Sequence, residues 1–264
     1  MKYSLAVFGN PIEHSLSPLV FSYFAKQFNI NLTYEKILAQ NTEDFNHKVT
    51  EFFNNNGLSI NITSPFKINA FDFSEHKTIR AKFCKASNFI YKNNSDNLIV
   101  DTTDGLGLVK DLEINLKYCF NNKRVLIIGS GAVVHSILLD IIVKNPNKIN
   151  VLARDKNKLN IIINKFFIDT FNESDEYDLI INTTPNNEDN AMFDKIKLLT
   201  NETLSYDLSY SKNSLFLKKM YKLNKNIQCA NGIGMLVEQA AVCFKTLFNL
   251  DPDTKRVIEI LKSI

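Results

Sequence analysis

Glycine is scarce in this chain, with eight in 264 residues, and tryptophan is absent. Each surviving glycine therefore says more about a local conformational need than it would in a glycine-rich chain. The four cysteines, Cys84, Cys119, Cys229 and Cys243, form no Cys-x-x-Cys pair, and none stands at zinc-ligand spacing with the four histidines. That excludes a sequence-readable metal site and points to reduced, mostly buried thiols in a cytoplasmic protein. No apolar run approaches the about 18 residues of a membrane span. The opening stretch, residues 3–8, reads as a strand broken by Gly9-Asn10-Pro11, not as a signal peptide. Nor is there an excess of one charge. The formal net charge is +3, from 31 basic and 28 acidic residues, which gives no footprint for nucleic acid or a membrane surface. Internal repeats and low-complexity linkers are missing too. What remains is a globular protein, 45% hydrophobic, with enough apolar residues for a real core.

Short apolar runs alternate with amphipathic stretches along the chain. Strands are expected at 3–8, 33–38, 58–62, 88–91 and 97–100, with helices from Ser17-Pro18 to about 28, at 42–55 and over 66–86. A second series follows Asp104-Gly105: a helix at 106–119, a buried strand at 124–128, a helix to about 144, a strand at 149–153 and a helix at 155–166. Further strands at 178–182 and 204–207 precede helices at 234–248 and 252–263. This alternation predicts an α/β fold of two domains with parallel sheets. A boundary falls near residue 104.

Gly129-Ser130-Gly131 lies between the buried strand and its helix. A tight turn there lets backbone N–H groups meet a pyrophosphate at the helix N-terminus. A strand-to-helix turn that simply needs glycine would show the same residues, and Val134 stands where the third glycine of the fingerprint belongs. The next strand ends in Ala153-Arg154-Asp155. The tip lacks the acidic residue that binds a bare ribose, and a guanidinium suits a 2′-phosphate. A solvated charged loop is the alternative. In the first half, Ser15 and Ser17 precede a helix and could bind a carboxylate, although Ser17 taken alone reads as a helix cap. Asn61 and Thr63 share one face of a strand, and Lys67 follows at its C-terminal end, where open α/β sheets bind ligands. Asp104-Gly105 marks the domain junction or a simple turn.

Taken together these segments resemble the shikimate dehydrogenase family in order and spacing along nearly the whole chain. The family's G-N-P-I-x-H-S-x-S-P is residues 9–18 here, its N-V-T-x-P-F-K is Asn61 to Lys67, and its N-T-D-G-x-G is Thr102 to Gly107. Asn88 aligns with the asparagine of A-x-x-x-N-T. The late N-A-T-P run is Asn182 to Pro185, Y-D-x-x-Y is Tyr206 to Tyr210, and D-G-x-x-M-L-x-x-Q-A is Asn231 to Ala240. The resemblance implies an N-terminal α/β substrate domain, 1–103 plus 237–264, and a doubly wound, Rossmann-type dinucleotide-binding domain, 104–236, hinged around a cleft, in a monomer or homodimer whose partner is a small molecule. It implies NADPH-dependent interconversion of 3-dehydroshikimate and shikimate, on the route to chorismate and the aromatic amino acids. Lys67 and Asp104 would be the catalytic pair. Ser15, Ser17 and Tyr210 would hold the substrate carboxylate, and Asn61, Thr63, Asn88 and Gln239 the ring. Gly129, Ser130, Gly131, Ala132, Val133, Ala153, Arg154, Asp155, Thr183, Gly232 and Met235 would hold NADP.

The cofactor motifs have drifted further than the substrate motifs. Asn231 replaces the family's Asp, Thr102 a frequent Asn, and Ala153-Arg154-Asp155 the strand-tip Asn-Arg-Thr. A quinate-active or NAD-preferring paralogue, and a non-catalytic binding protein on the same scaffold, are the other expectations. Retention of both Lys67 and Asp104 argues against the last.

Overall fold

The computed structural model describes residues 2–185 and 191–263. The chain divides into two compact units, Met1–Gly107 with Leu236–Ile264, and Leu108–Met235. The divisions fall after Gly107 and Met235, where the sequence reading places them after residues 103 and 236.

The first unit is built on β1 (Tyr3–Gly9), α1 (Ser17–Gln27), β2 (Leu32–Leu38), α2 (Thr42–Asn54), β3 (Ser59–Ile62), α3 (Lys67–Phe71), α4 (Ile79–Cys84), β4 (Phe89–Lys92) and β5 (Leu98–Asp101). Its sheet has the order β2-β1-β3-β4-β5. β1 runs parallel to β2 and β3, while β4 is antiparallel to β3 and β5. One face buries Ala6, Phe8, Ile60, Ile62, Ile90 and Val100 against Phe45, Val49 and Phe53 of α2 and against Phe66. Late in the chain come α9 (Ile233–Phe248) and α10 (Thr254–Ser263). Phe244 of α9 is fully buried, with its ring 5.6 Å from Phe24 and 5.8 Å from Phe28, and Phe248 meets Tyr3 at 5.1 Å. Burial of aromatic area of this kind ties the end of the chain to its beginning.

The second unit contains β6 (Arg124–Ile128), α6 (Ala132–Ile142), β7 (Lys148–Leu152), α7 (Lys156–Phe166), β8 (Asp169–Thr170), β9 (Leu179–Asn182), β10 (Leu204–Asp207), α8 (Leu215–Leu223) and β11 (Gln228–Asn231). All six strands are parallel, in the order β11-β10-β9-β6-β7-β8. Read from the other edge, this is the doubly wound order 3-2-1-4-5-6 of dinucleotide-binding folds, with its reversal between β6 and β9. The central strands β6 and β9 are apolar and buried on both faces because helices cover both. Val125 and Ile127 pack into one cluster with α6 and α7, and Leu126 and Ile128 into another with Phe216 and Met220 of α8.

Some elements differ from the sequence reading. The helical stretches expected over 66–86 are α3 and α4, with residues 72–78 between them not helical. The intervening strand of chain lies along β5 instead, with Val100 N–H bonded to His76 O at 2.9 Å and Thr78 N–H to Val100 O at 3.0 Å. Thr78 then caps α4. Pairing with a neighbouring strand thus overrides local helical preference. The helix expected at 106–119 is α5 (Asp104–Lys110), which continues as a π-helical turn, Asp111–Asn115, and stops there. Ser17 is not a cap: Leu16 holds the cap position of α1 without a side-chain hydrogen bond, and Ser17 is the first helical residue. The short β8, the 3₁₀ turn Ala191–Lys195, α8 and β11 were not foreseen. All four cysteines are free, but Cys119 and Cys229 are exposed and only Cys84 and Cys243 buried. Among the described residues no helix is long and apolar enough to cross a membrane, and no His/Cys/Asp/Glu group could hold a metal.

Candidate active site

In the first unit, β3 ends and α3 begins at Lys67, while α5 begins at Asp104 just after β5. The two side chains meet, Lys67 Nζ lying 2.7 Å from Asp104 Oδ2, with side-chain exposures of 18% and 10%. That leaves the ammonium reachable and the carboxylate mostly dry. The second oxygen of Asp104 accepts from Asn88 Nδ2 at 3.0 Å. Asn88 is the hub of the cluster. Its amide oxygen accepts the Thr103 backbone N–H at 2.7 Å, and its nitrogen also faces Thr103 Oγ1 at 3.0 Å and Gln239 Oε1 at 3.2 Å. Gln239 donates to the Leu236 carbonyl at 3.0 Å, which fixes its oxygen toward the cluster.

Asn61 is buried beside this hub, with its amide engaged by the protein. Its nitrogen donates to Asn88 O at 3.3 Å and Cys243 Sγ at 3.4 Å, and its oxygen accepts from Tyr34 Oη at 2.7 Å. Burial drives the Tyr34 phenol well above its ordinary pKa, Cys243 adds to the rise, and Ser17 opposes it with a hydrogen bond. Burial likewise pushes the Cys243 thiol up to about 12, so it stays a neutral partner. Ser15 Oγ and Ser17 Oγ lie 3.3 Å apart, and Ser15 Oγ also accepts the Ser17 N–H at 3.4 Å. Thr63 is half-buried against Gly9, where any Cβ would overlap its methyl group. The structure therefore gathers Lys67, Asp104, Asn88 and Gln239 into one hydrogen-bonded group, with Asn61 attached, and pairs Ser15 with Ser17. Tyr210 is half-buried in the second unit, three residues past β10. Tyr34, Thr103 and Cys243 belong to the same network and were not singled out from sequence. Thr103 lies inside the motif that was, whereas nothing local marks Tyr34 or Cys243.

In the second unit the turn after β6 sits at the reversal of the sheet. Gly129 has φ +124°, a conformation closed to most side chains, and a Cβ there would overlap the Thr183 hydroxyl at the end of β9. Thr183 in turn donates to Ile128 O at 2.8 Å. Gly131 is the N-cap of α6, with open space beside its Cα, no side-chain cap and no acidic residue in the first turn. The first N–H groups of α6, at Ala132 and Val133, thus face an uncluttered end that fits a pyrophosphate. Val134 is fully buried in the core below, so a side chain is accommodated where the fingerprint has its third glycine. Ser130 is half-buried. After β7, Ala153 is buried and Arg154 exposed, and Arg154 makes no ion pair among the described residues. Asp155 caps α7, its carboxylate accepting from Asn157 N–H at 3.0 Å and Lys158 N–H at 3.1 Å. Gly232 lies against the Leu208 carbonyl, and Met235 is buried at the start of α9. These features fit a dinucleotide carrying a 2′-phosphate.

Residues 7–90 match the family described as the shikimate dehydrogenase substrate binding domain. A shikimate dehydrogenase (NADP(+)) from Vesicomyosocius okutanii is 37% identical over 268 residues, covering 98% of this chain and 99% of the relative. The crystal structure of an Ael1 enzyme from Pseudomonas putida superposes with a TM-score of 0.87 at 30% identity, covering 98% of both chains. That of a shikimate dehydrogenase from Aquifex aeolicus gives 0.86 at 23%, covering 98% and 96%, and so supports the fold alone. With a relative this similar over its full length, the chain belongs to the shikimate dehydrogenase family.

Proposed function

We propose that this protein works as an NADP-dependent shikimate dehydrogenase through the site just described, interconverting 3-dehydroshikimate and shikimate. The observation that carries the residue-level reading is the Lys67–Asp104 contact of 2.7 Å, set in a buried group of asparagine, threonine and glutamine side chains. Bound NADPH supplies the hydride. Lys67 points its ammonium at the ring oxygen, stabilises the negative charge that grows there during reduction, and gives up the proton. In the reverse direction its amine takes the hydroxyl proton. Asp104 restrains the lysine on one side and, through Asn88, is itself restrained on the other. Asn88, Gln239 and Thr63 bond the ring hydroxyls and carbonyl, and Asn61, whose N–H groups are already bonded, contributes through its oxygen. Ser15 and Ser17 take the carboxylate.

The first unit is then the substrate-binding catalytic domain and the second the dinucleotide-binding domain. Gly129, Ser130, Gly131, Ala132 and Val133 cradle the pyrophosphate, with Thr183 behind the turn. Ala153, Arg154 and the capping Asp155 frame the 2′-phosphate, and Gly232 and Met235 meet the nicotinamide. Two exposed free thiols suit a reducing cytoplasm. The test is loss of NADPH absorbance with 3-dehydroshikimate, run against quinate and NAD(H) as competing substrate and cofactor. No turnover of 3-dehydroshikimate by wild type, or turnover undiminished in Lys67→Ala, defeats the reading.

A further inference from the structure

A buried phenol and carboxylate in the second unit lie against the segment that opens α9. Tyr206, on β10, is fully buried in the cluster that covers β6. A phenol oxygen placed there needs partners. It donates to Asp111 Oδ2 at 2.6 Å and accepts the Met235 backbone N–H at 3.3 Å. Asp111 is also buried, and its other oxygen accepts from Asn115 Nδ2 at 2.9 Å. It sits in the π-helical turn, a rare conformation that persists where surroundings demand it. A Cβ on Gly234 would overlap the Asp111 carboxylate, and one on Gly232 would overlap the Leu208 carbonyl. Gly232 N–H is bonded to Ser209 O at 3.2 Å. The backbone of residues 232–235 is thus held at both ends, by β10's outgoing chain at Gly232 and by Asp111 and Tyr206 at Gly234 and Met235.

Stability alone does not call for such a pair. Well-packed apolar residues of similar volume do as well or better than buried ionised groups. A fixed backbone geometry does call for it, because the hydroxyl reads one N–H and the carboxylate permits only glycine beside it. We propose that Asp111 and Tyr206 are positioning residues for the cofactor, fixing the Gly232–Met235 backbone against which the nicotinamide lies. The proposal rests on the assignment of that segment to NADP.

Tyr206→Phe keeps the ring and deletes the oxygen. The dissociation constant of NADPH, read from the fluorescence of the bound nucleotide, should rise roughly three- to tenfold, the loss of about one hydrogen bond. KM for shikimate at saturating NADP should stay within twofold of wild type. Gly234→Ala, which pushes on the Asp111 carboxylate, should act in the same direction and serves if Tyr206→Phe does not fold. Asp111→Asn keeps an acceptor oxygen for the phenol and should hold NADPH more tightly than Tyr206→Phe. Met235→Ala tests the underlying assignment. If it leaves NADPH binding unchanged, that assignment fails. If it weakens NADPH binding while folded Tyr206→Phe and Gly234→Ala bind NADPH within twofold of wild type, the positioning role is overturned. A rise in shikimate KM matching the NADPH effect would also overturn it, since it would mark a general structural loss.

Discussion

Replacing Arg154 with alanine removes the one group at the tip of β7 suited to a 2′-phosphate. Arg154 is exposed and carries no ion pair among the described residues, so no internal contact is lost and stability should barely change. Charge-assisted hydrogen bonds contribute about 1.5–3 kcal/mol each when sheltered. Exposed pairs contribute about 0.2–1 kcal/mol. A guanidinium fork closing on phosphate at an open rim falls between these limits, at about 1–2 kcal/mol, or roughly a 5- to 30-fold loss in kcat/KM for NADPH. Lys156 and Lys158 do not replace it. Lys158 Nζ already lies 3.8 Å from the Asp155 carboxylate, which partly cancels its field. Asp155 itself is turned to the α7 N–H groups, so it does not repel the phosphate directly. The assay is kcat/KM for NADPH and NADH, in wild type and Arg154→Ala, at two salt concentrations. NADH use should hardly change. The wild-type advantage for NADPH should shrink with salt, because the Debye length of about 10 Å at 0.1 M falls to about 3 Å at 1 M. Equal losses for both cofactors, or a wild type that prefers NADH, would refute this account of the loop.

Lys67→Ala should lower kcat by about 10²–10⁴-fold with KM for shikimate little changed, because general acid–base catalysis is lost and carboxylate binding is not. Steady-state kinetics at saturating NADPH decide it. Ser15→Ala combined with Ser17→Ala should raise KM for shikimate and spare kcat; a lower melting temperature with KM unchanged would instead confine the two hydroxyls to their bonds with the Ser17 N–H and Tyr34. Gly129→Ala should cost NADPH binding or folding outright, as the new methyl meets Thr183 at a strained φ of +124°; nucleotide fluorescence and a thermal melt separate the two. His135 has its pKa lowered from 6.5 to about 4, first by burial and then by the Lys165 charge. The unfolded chain therefore binds the extra proton first, and this histidine costs stability progressively as pH falls from 6.5 to about 4. Melting temperature against pH should flatten over that window in His135→Gln, and an unchanged slope would show that the ring is not the group responsible.

The polar positions of the first unit were readable because each lies at the end of a short apolar run. Asn61 and Thr63 alternate on β3, Lys67 follows it, and Asp104 follows β5. Their partners were harder to see. Tyr34 reaches Asn61 from β2, and Cys243 from α9. Such pairings are made by the sheet order and by the return of the chain, and neither leaves a local pattern. In the second sheet the four strands at 124–128, 149–153, 178–182 and 204–207 were legible as apolar runs, but β8 is two residues and β11 is exposed along part of its length, so neither has a hydrophobic signature. The extended segment between α3 and α4 was invisible for a related reason: its hydrogen bonds, at His76 and Thr78, are made with Val100, more than twenty residues away. Ser17 misled because Ser-Pro is a common cap signature, whereas here the helix begins one residue earlier than that signature implies.

The interrupted make-up of the first unit bears on how the protein is born. Its five-stranded sheet is complete by Asp101, and the Lys67–Asp104 pair three residues later. Yet Gln239, which shares the Asn88 amide, and Phe244, which packs on Phe24 and Phe28, arrive only after all of residues 108–235 have been made. The emerging chain must therefore carry an unfinished first unit, its apolar α1 face uncovered, through the whole synthesis of an insert that is contiguous and able to close on itself. That interval exposes Phe21, Phe24 and Phe28 to wrong partners, including the same faces of neighbouring nascent chains, and it is where a chaperone would do most good. It also defines a contiguous cassette between Gly107 and Leu236, whose exchange for a relative's would, on the proposed assignment, be expected to change cofactor preference and leave Lys67 and Asp104 in the chain.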